Sequence, residues 1–134
     1  MNRKKSREVA MELLFENSIK KEDTKDIIEN FLETTEYDLE NLDMKYIQGI
    51  LKGVSENIEK IDEIIEKYLV NWKISRISKV NLAILRLATY EIIFDNEIPF
   101  KVSINEALDL GKKYSDESSV SFINGVLDNI SKNI

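Results

Sequence analysis

At 134 residues the chain is long enough to bury a hydrophobic core and short for two unrelated domains. Four glycines and one proline leave little turn chemistry for a many-stranded fold, and with neither cysteine nor histidine the chain has no disulfide framework, no thiolate metal site and no histidine general base. The formal charge of −6 argues against nucleic acid, because phosphate binding draws on Lys and Arg, but the charge is uneven: Arg3, Lys4, Lys5 and Arg7 share a segment without an acid, whereas residues 8–69 hold 7 basic against 17 acidic groups.

The first helix is expected from Arg3 to about Ile19, where Val9, Leu13 and Ala10, Leu14 recur at helical spacing with Glu12 and Glu16 on the other side. A second begins near Thr24 as N-cap and buries Ile27, Ile28, Phe31 and Leu32; the polar stretch Thr34 to Asn41 reads as a loop. From Asp43, the run Ile47, Ile50, Leu51, Val54, Ile58, Ile61, Ile65 and Leu69 predicts one long helix or two joined by a break near Glu59. The segment 80–94 is apolar nearly all round, the pattern of a helix at the centre of a bundle, and Asp95, Asn96 and Pro99 end it. A sixth helix covers roughly Lys101 to Tyr114, with Ser103 and Glu106 spaced as a capping box unless Pro99 starts it earlier. The last runs from about Ser118 to Ser131 on the stripe Val120, Ile123, Leu127 and Ile130. No stretch reaches the roughly 18 apolar residues of a membrane span, and no apolar run follows the basic N-terminus as in a signal peptide, so a cytoplasmic setting without membrane contact is expected.

Four features bear on function. The basic cluster is either a solvated terminus or a phosphate contact; cations at a helix N-terminus oppose the macrodipole, so helix stability alone would have placed acids there. Phe122 falls about 110° from the centre of the last helix's stripe, at the margin of the buried face. It either packs on a neighbouring helix or stays exposed as a stacking platform for an unpaired base, and Tyr68, Tyr114 and Phe15 share that ambiguity. Arg86, inside the most apolar helix, needs a partner, for which Glu91 and Glu106 are candidates. Asn105-Glu106 and Asn124-Gly125 interrupt apolar helices, which suggests close helix approach. No Gly-rich phosphate loop, calcium-loop pattern or carboxylate pair beside a nucleophile occurs, so neither catalysis, cofactor nor metal is expected.

The runs VNLAILRLATYEI, IPFKVSINEALDLGKKY and SFINGVLDNI, in this order, with RKKSREVAMELLFE at the N-terminus, resemble the NusB family of bacterial transcription antitermination factors. The similarity covers essentially the whole chain and is most specific from Val80 to Ile130. It implies an all-α fold of about seven helices in two small helical subdomains, with residues 1–134 forming one RNA-binding domain. It also implies binding of single-stranded boxA-type RNA from ribosomal RNA transcripts together with the ribosomal protein NusE, within the RNA polymerase antitermination complex. By matching positions, Arg3, Lys4, Lys5 and Arg7 stand in the family's arginine-rich RNA-binding motif; Tyr68, Ser118 and Phe122 fall where the family contacts RNA; Phe15 and Asn81 lie near the NusE interface. Three departures stand out: lysines replace some arginines, Asn81 stands where an acid is common, and Ser118 where some members have Asp. A monomer or a homodimer is compatible with the sequence when the partner is absent. The alternatives are the related RNA-binding domain of an RNA methyltransferase, although no Gly-rich cofactor-binding strand-turn-helix is present, and a protein-binding helical adaptor.

Overall fold

A computed structural model describes residues 2–134. Seven α-helices account for the described elements together with two short 3₁₀ turns: α1 (Arg3–Lys20), α2 (Thr24–Thr34), α3 (Met44–Glu56), α4 (Ile58–Lys67), α5 (Lys79–Phe94), α6 (Phe100–Tyr114) and α7 (Glu117–Lys132), with the turns at Leu39–Asn41 and Ile74–Arg76. α1, α2 and α3 pack as one group and α4 to α7 as another, joined where α5 lies against α1 and α3. The all-α architecture in two small subdomains is therefore present, and α5 touches five other helices, as its all-round apolar sequence requires. Ala83, Ile84, Leu85, Leu87, Ala88 and Ile92 are all buried on it. α1 is the second central helix: Val9, Ala10, Met11, Leu13 and Leu14 spread burial over more than a single stripe. Fully burying one Leu or Ile contributes about 1.5 to 3 kcal/mol, so the α1–α5 contact is a main source of cohesion.

Local capping explains the helix ends. Asn2, Asp43, Ser78 and Asp116 each accept a backbone N–H in the first turn of α1, α3, α5 and α7. Thr24 is not the cap expected of it; Asp23 precedes the helix without a side-chain bond. The break between α3 and α4 falls at Asn57, two residues before Glu59, where the Asn57 amide donates to the Gly53 carbonyl at 2.8 Å. Pro99 immediately precedes α6, so the box of Ser103 and Glu106 does not form; Ser103 is already inside the helix and donates to Glu91 instead. Leu32, expected in the core, is exposed on the outer face of α2.

Close helix approach occurs at a different glycine from the one expected. Gly125 faces open space, whereas a β-carbon at Gly53 on α3 would overlap the ring of Tyr90 on α5, itself stacked on Phe94 at 5.2 Å between centroids. Gly53→Ala is therefore expected to cost about 1 to 3 kcal/mol in urea unfolding through overpacking. Gly125→Ala should raise stability by up to about 1 kcal/mol, the helix-propensity difference, with no steric cost.

Candidate nucleic-acid interface

The four cations at the start of α1 do not share one fate. Arg7 is only 4% exposed: its guanidinium donates from Nε (2.9 Å) and a terminal nitrogen (3.2 Å) to the two carboxylate oxygens of Glu91, which is fully buried on α5. Glu91 also accepts from Ser103 Oγ of α6 at 2.7 Å and from the Tyr46 hydroxyl of α3, and Glu106 approaches the same guanidinium at 3.5 Å. Burial and the Glu91 charge push the Tyr46 phenol far above its ordinary range, so it stays a donor at any working pH. The expectation that Arg7 faces RNA is thus corrected, because an ion network of four helices consumes its donors. The Arg86 pairing is corrected with it: Glu91 and Glu106 belong to Arg7, and Arg86 makes a bidentate pair with Asp62 of α4 at 2.9 and 2.8 Å.

Arg3, Lys4 and Lys5 do reach the surface, each against an acid. Arg3 pairs with Asp43 at 3.1 Å and lies over the Tyr46 ring at 4.4 Å; Lys4 pairs with Asp109 at 2.7 Å and Glu106 at 3.5 Å; Lys5 pairs with Glu8 at 3.3 Å and covers the Tyr37 ring at 4.5 Å. Glu8 receives a second cation, Lys113 of α6, at 2.6 Å. The Tyr114 hydroxyl shares its single proton between Glu8 at 2.7 Å and Glu12 at 2.5 Å, so this tyrosine is spent on the seam between α1 and α6.

A second surface lies at the first turns of α5 and α7. Trp72, Arg76, Ile77, Ser78, Asn81, Ser118, Ser119 and Phe122 line an open pocket of about 370 Å³, within the size range of small-ligand sites. Phe122 is partly buried against the core, and Trp72 is 53% exposed. Ser118 is exposed and donates to Asp116 at 3.0 Å. Asn81 is largely buried and donates to Ser119 Oγ at 2.9 Å, tying the two helix starts together. The structure thus groups Asn81, expected near a protein partner, with Ser118 and Phe122, expected near RNA. Tyr68, at the end of α4 beneath Lys67, and Phe15, packed on the core from α1, lie outside this pocket. Trp72 and Arg76 were missed from sequence. The signal was there: the one tryptophan stands in NWKISR, just ahead of Lys73 and Arg76 and outside any apolar period.

Residues 4–132 match the NusB family. The chain belongs to that family. A relative from Clostridium botulinum (strain Alaska E43), named transcription antitermination protein NusB, is 60% identical over 98% of this chain and 99% of its own length. One of the same name from Clostridium acetobutylicum is 58% identical over 97% and 95%. Among solved structures, NusB of T. maritima aligns with a TM-score of 0.87 at 36% identity, covering 99% of this chain and 92% of that one. A crystal structure of the antitermination factors NusB and NusE in complex with double-stranded RNA aligns at 0.86 and 30% identity, covering 98% and 97%. Among the described residues no helix is long and apolar enough to cross a membrane, and no group of three or more acids could hold a metal ion.

The two roles within the cluster separate experimentally. Arg7→Ala strands Glu91 in the core and is expected to cost about 3 to 5 kcal/mol in urea unfolding. Lys4→Ala, which breaks only exposed pairs, should cost no more than about 1 kcal/mol. Stability also depends on pH through the same surface. Burial opposes the charged form of Glu8, but hydrogen bonds from Lys113, Tyr114 and Lys5 outweigh it and hold the carboxyl below the usual range; Asp43 is lowered by the Tyr46 backbone N–H and by Arg3. With folded values below unfolded ones, their contribution is complete above about pH 5 and lost progressively as pH falls through the unfolded and then the folded values. The melting temperature should begin to fall as the pH drops below about 5, and Glu8→Gln should make that fall shallower.

Proposed function

We propose that this chain acts as a non-catalytic transcription antitermination factor in the cytoplasm, binding boxA-type RNA of ribosomal RNA transcripts together with NusE and joining the RNA polymerase antitermination complex. The observation that carries this reading is the pocket at the starts of α5 and α7. Two aromatic side chains, Trp72 and Phe122, supply faces on which an unpaired base stacks, a sequence-tolerant contact worth about 1 to 3 kcal/mol per base. Arg76 and the positive ends of two helix dipoles favour the phosphate that accompanies the base. Arg3, Lys4 and Lys5 add phosphate contacts that position the RNA without reading it. Membership of the NusB family, and a related structure containing NusE and double-stranded RNA, support both partners.

On this reading, Ser118 contacts RNA beside Phe122, Tyr68 contacts it outside the pocket, and Phe15 belongs to the NusE surface. Asn81 acts by joining the α5 and α7 starts more than by direct contact, because its amide is already bonded to Ser119. Residues 1–134 would then work as one RNA-binding domain.

The sole tryptophan makes the test direct. Titrating a boxA-like single strand, a scrambled strand and a duplex, each with and without NusE, is expected to quench Trp72 fluorescence at lowest concentration for the boxA strand with NusE. Trp72→Ala and Phe122→Leu should each weaken binding of that strand about 5- to 150-fold in a labelled-RNA assay while changing thermal stability little. Equal affinity for all three RNAs, with and without NusE, would overturn the sequence-specific reading.

A further inference from the structure

Each surface cation of the N-terminal cluster is already engaged by an acid, and two of those acids come from distant parts of the chain. Asp43 reaches Arg3 from the start of α3, and Asp109 reaches Lys4 from α6, 105 residues away. Asp43 is a fixed part of the fold, and Asp109 acts with Glu106 beside it. Asp43 accepts the Tyr46 backbone N–H at 3.1 Å as the cap of α3, and its own N–H donates to Ser6 Oγ at 2.7 Å, which fixes the start of α3 on the first turn of α1. Asp109 stands three residues after Glu106 on the same face of α6, so Lys4 sits between two carboxylates, and Glu106 is held in turn by Arg7. Phosphate arriving at this surface therefore meets closed ion pairs.

We propose that Asp43 and Asp109 are intramolecular competitors for RNA, carboxylates that occupy Arg3 and Lys4 in the free protein and are displaced by phosphate when RNA binds. The inference rests on the reading that this cluster contacts RNA, and it adds the regulation of that contact. Its consequence is a threshold. RNA held by phosphate contacts alone must exchange both carboxylate pairs for phosphate pairs, a small net gain, whereas RNA whose bases also occupy the Trp72–Phe122 pocket has a second source of binding energy. The competitors lower affinity for every RNA and leave useful binding to those that engage both surfaces. An exposed pair of this kind reduces the affinity of an incoming anion by about 1.4- to 5-fold.

The test uses the full chain with Asp109→Asn and Asp43→Asn, both isosteric; Asn caps a helix as well as Asp, so α3 keeps its first turn. Binding of a labelled scrambled strand and a boxA-like strand is measured at low and high salt, alongside Arg3→Ala and Lys4→Ala. Each Asn variant is expected to bind both strands about 1.4- to 5-fold more tightly at low salt, with the gain shrinking as salt screens the pairs. If Arg3→Ala and Lys4→Ala weaken binding while neither Asn variant strengthens it, the competitor role is overturned and the cluster's contact with RNA stands. If the two Ala variants bind as the parent does, the cluster does not contact RNA, and both ideas fall together.

Discussion

The buried pair of Arg7 and Glu91 is the interaction on which the arrangement of this molecule depends. A carboxylate with no solvent exposure is sustained only where its lone pairs are filled, and here Arg7, Ser103 and Tyr46 fill them from α1, α6 and α3 around Glu91 on α5. Arginine suits the position in a way lysine does not. Its planar fork meets both carboxylate oxygens and leaves a third nitrogen for Glu106, while its face lies over the Tyr46 ring. Against an apolar replacement such a network adds little net stability, but losing one member leaves a buried charge. What it does supply is alignment, because the four helices satisfy the pair in one relative placement only.

That alignment organises the surface. With Arg7 drawn inward, the preceding turn of α1 projects Arg3, Lys4 and Lys5 outward, and the helices that hold Glu91's partners bring Asp43, Glu106 and Asp109 up against them. An electrostatic boundary results: positive groups are presented, but each is balanced, and the chain keeps its acidic net charge. From there α6 leads directly toward the other surface. Lys113 in its last turn bonds Glu8, and after Tyr114 only Ser115 and Asp116 intervene before α7 opens at Glu117, with Ser118 and Ser119 in its first turn at the aromatic pocket. The phosphate-contacting and base-stacking surfaces of the proposed function are therefore linked through one two-residue corner.

Much of this was legible in the sequence, and what was not shares a cause. Helix periodicity depends on local spacing, so the helical segments and the central place of α5 follow from it, with the run from Asp43 to Leu69 left open between one helix and two and other ends displaced by a residue or two where capping competes. Whether Arg7 turns inward while Lys4 turns outward depends on what stands opposite, and no local pattern carries that. The same blindness exchanged the partners of Arg86, since Asp62, Glu91 and Glu106 are equivalent until the helices are placed. It also put close approach at Gly125 when the crowded glycines are Gly53, against Tyr90, and Gly111, against Val120. Ser103 shows the competition most directly: its spacing fits a capping box, yet a buried carboxylate needing a donor outranks a helix end that Pro99 already defines. Phe122 lay at the margin by geometry and remains there, half packed and half open.

Trp72 illustrates why the pocket escaped notice while one wall of it was found. Phe122 belongs to a periodic helix, so its departure from the stripe could be measured; Trp72 lies between elements, where no period exists to depart from. An exposed tryptophan needs a reason, since burying it would stabilise the fold by more than any other side chain of the loop. The neighbours supply one. Arg76 completes the short 3₁₀ turn that follows, and the starts of α5 and α7 form the floor through the Asn81–Ser119 bond, so the indole stands over a site whose polar groups are fixed by structure on both sides. In the free protein the cations at the start of α1 are engaged by their own acids, and the aromatic face at Trp72 is not. On the proposed reading, an RNA strand gains most by engaging the pocket first and the clamped cations second, and the order of contact follows from the order of their availability.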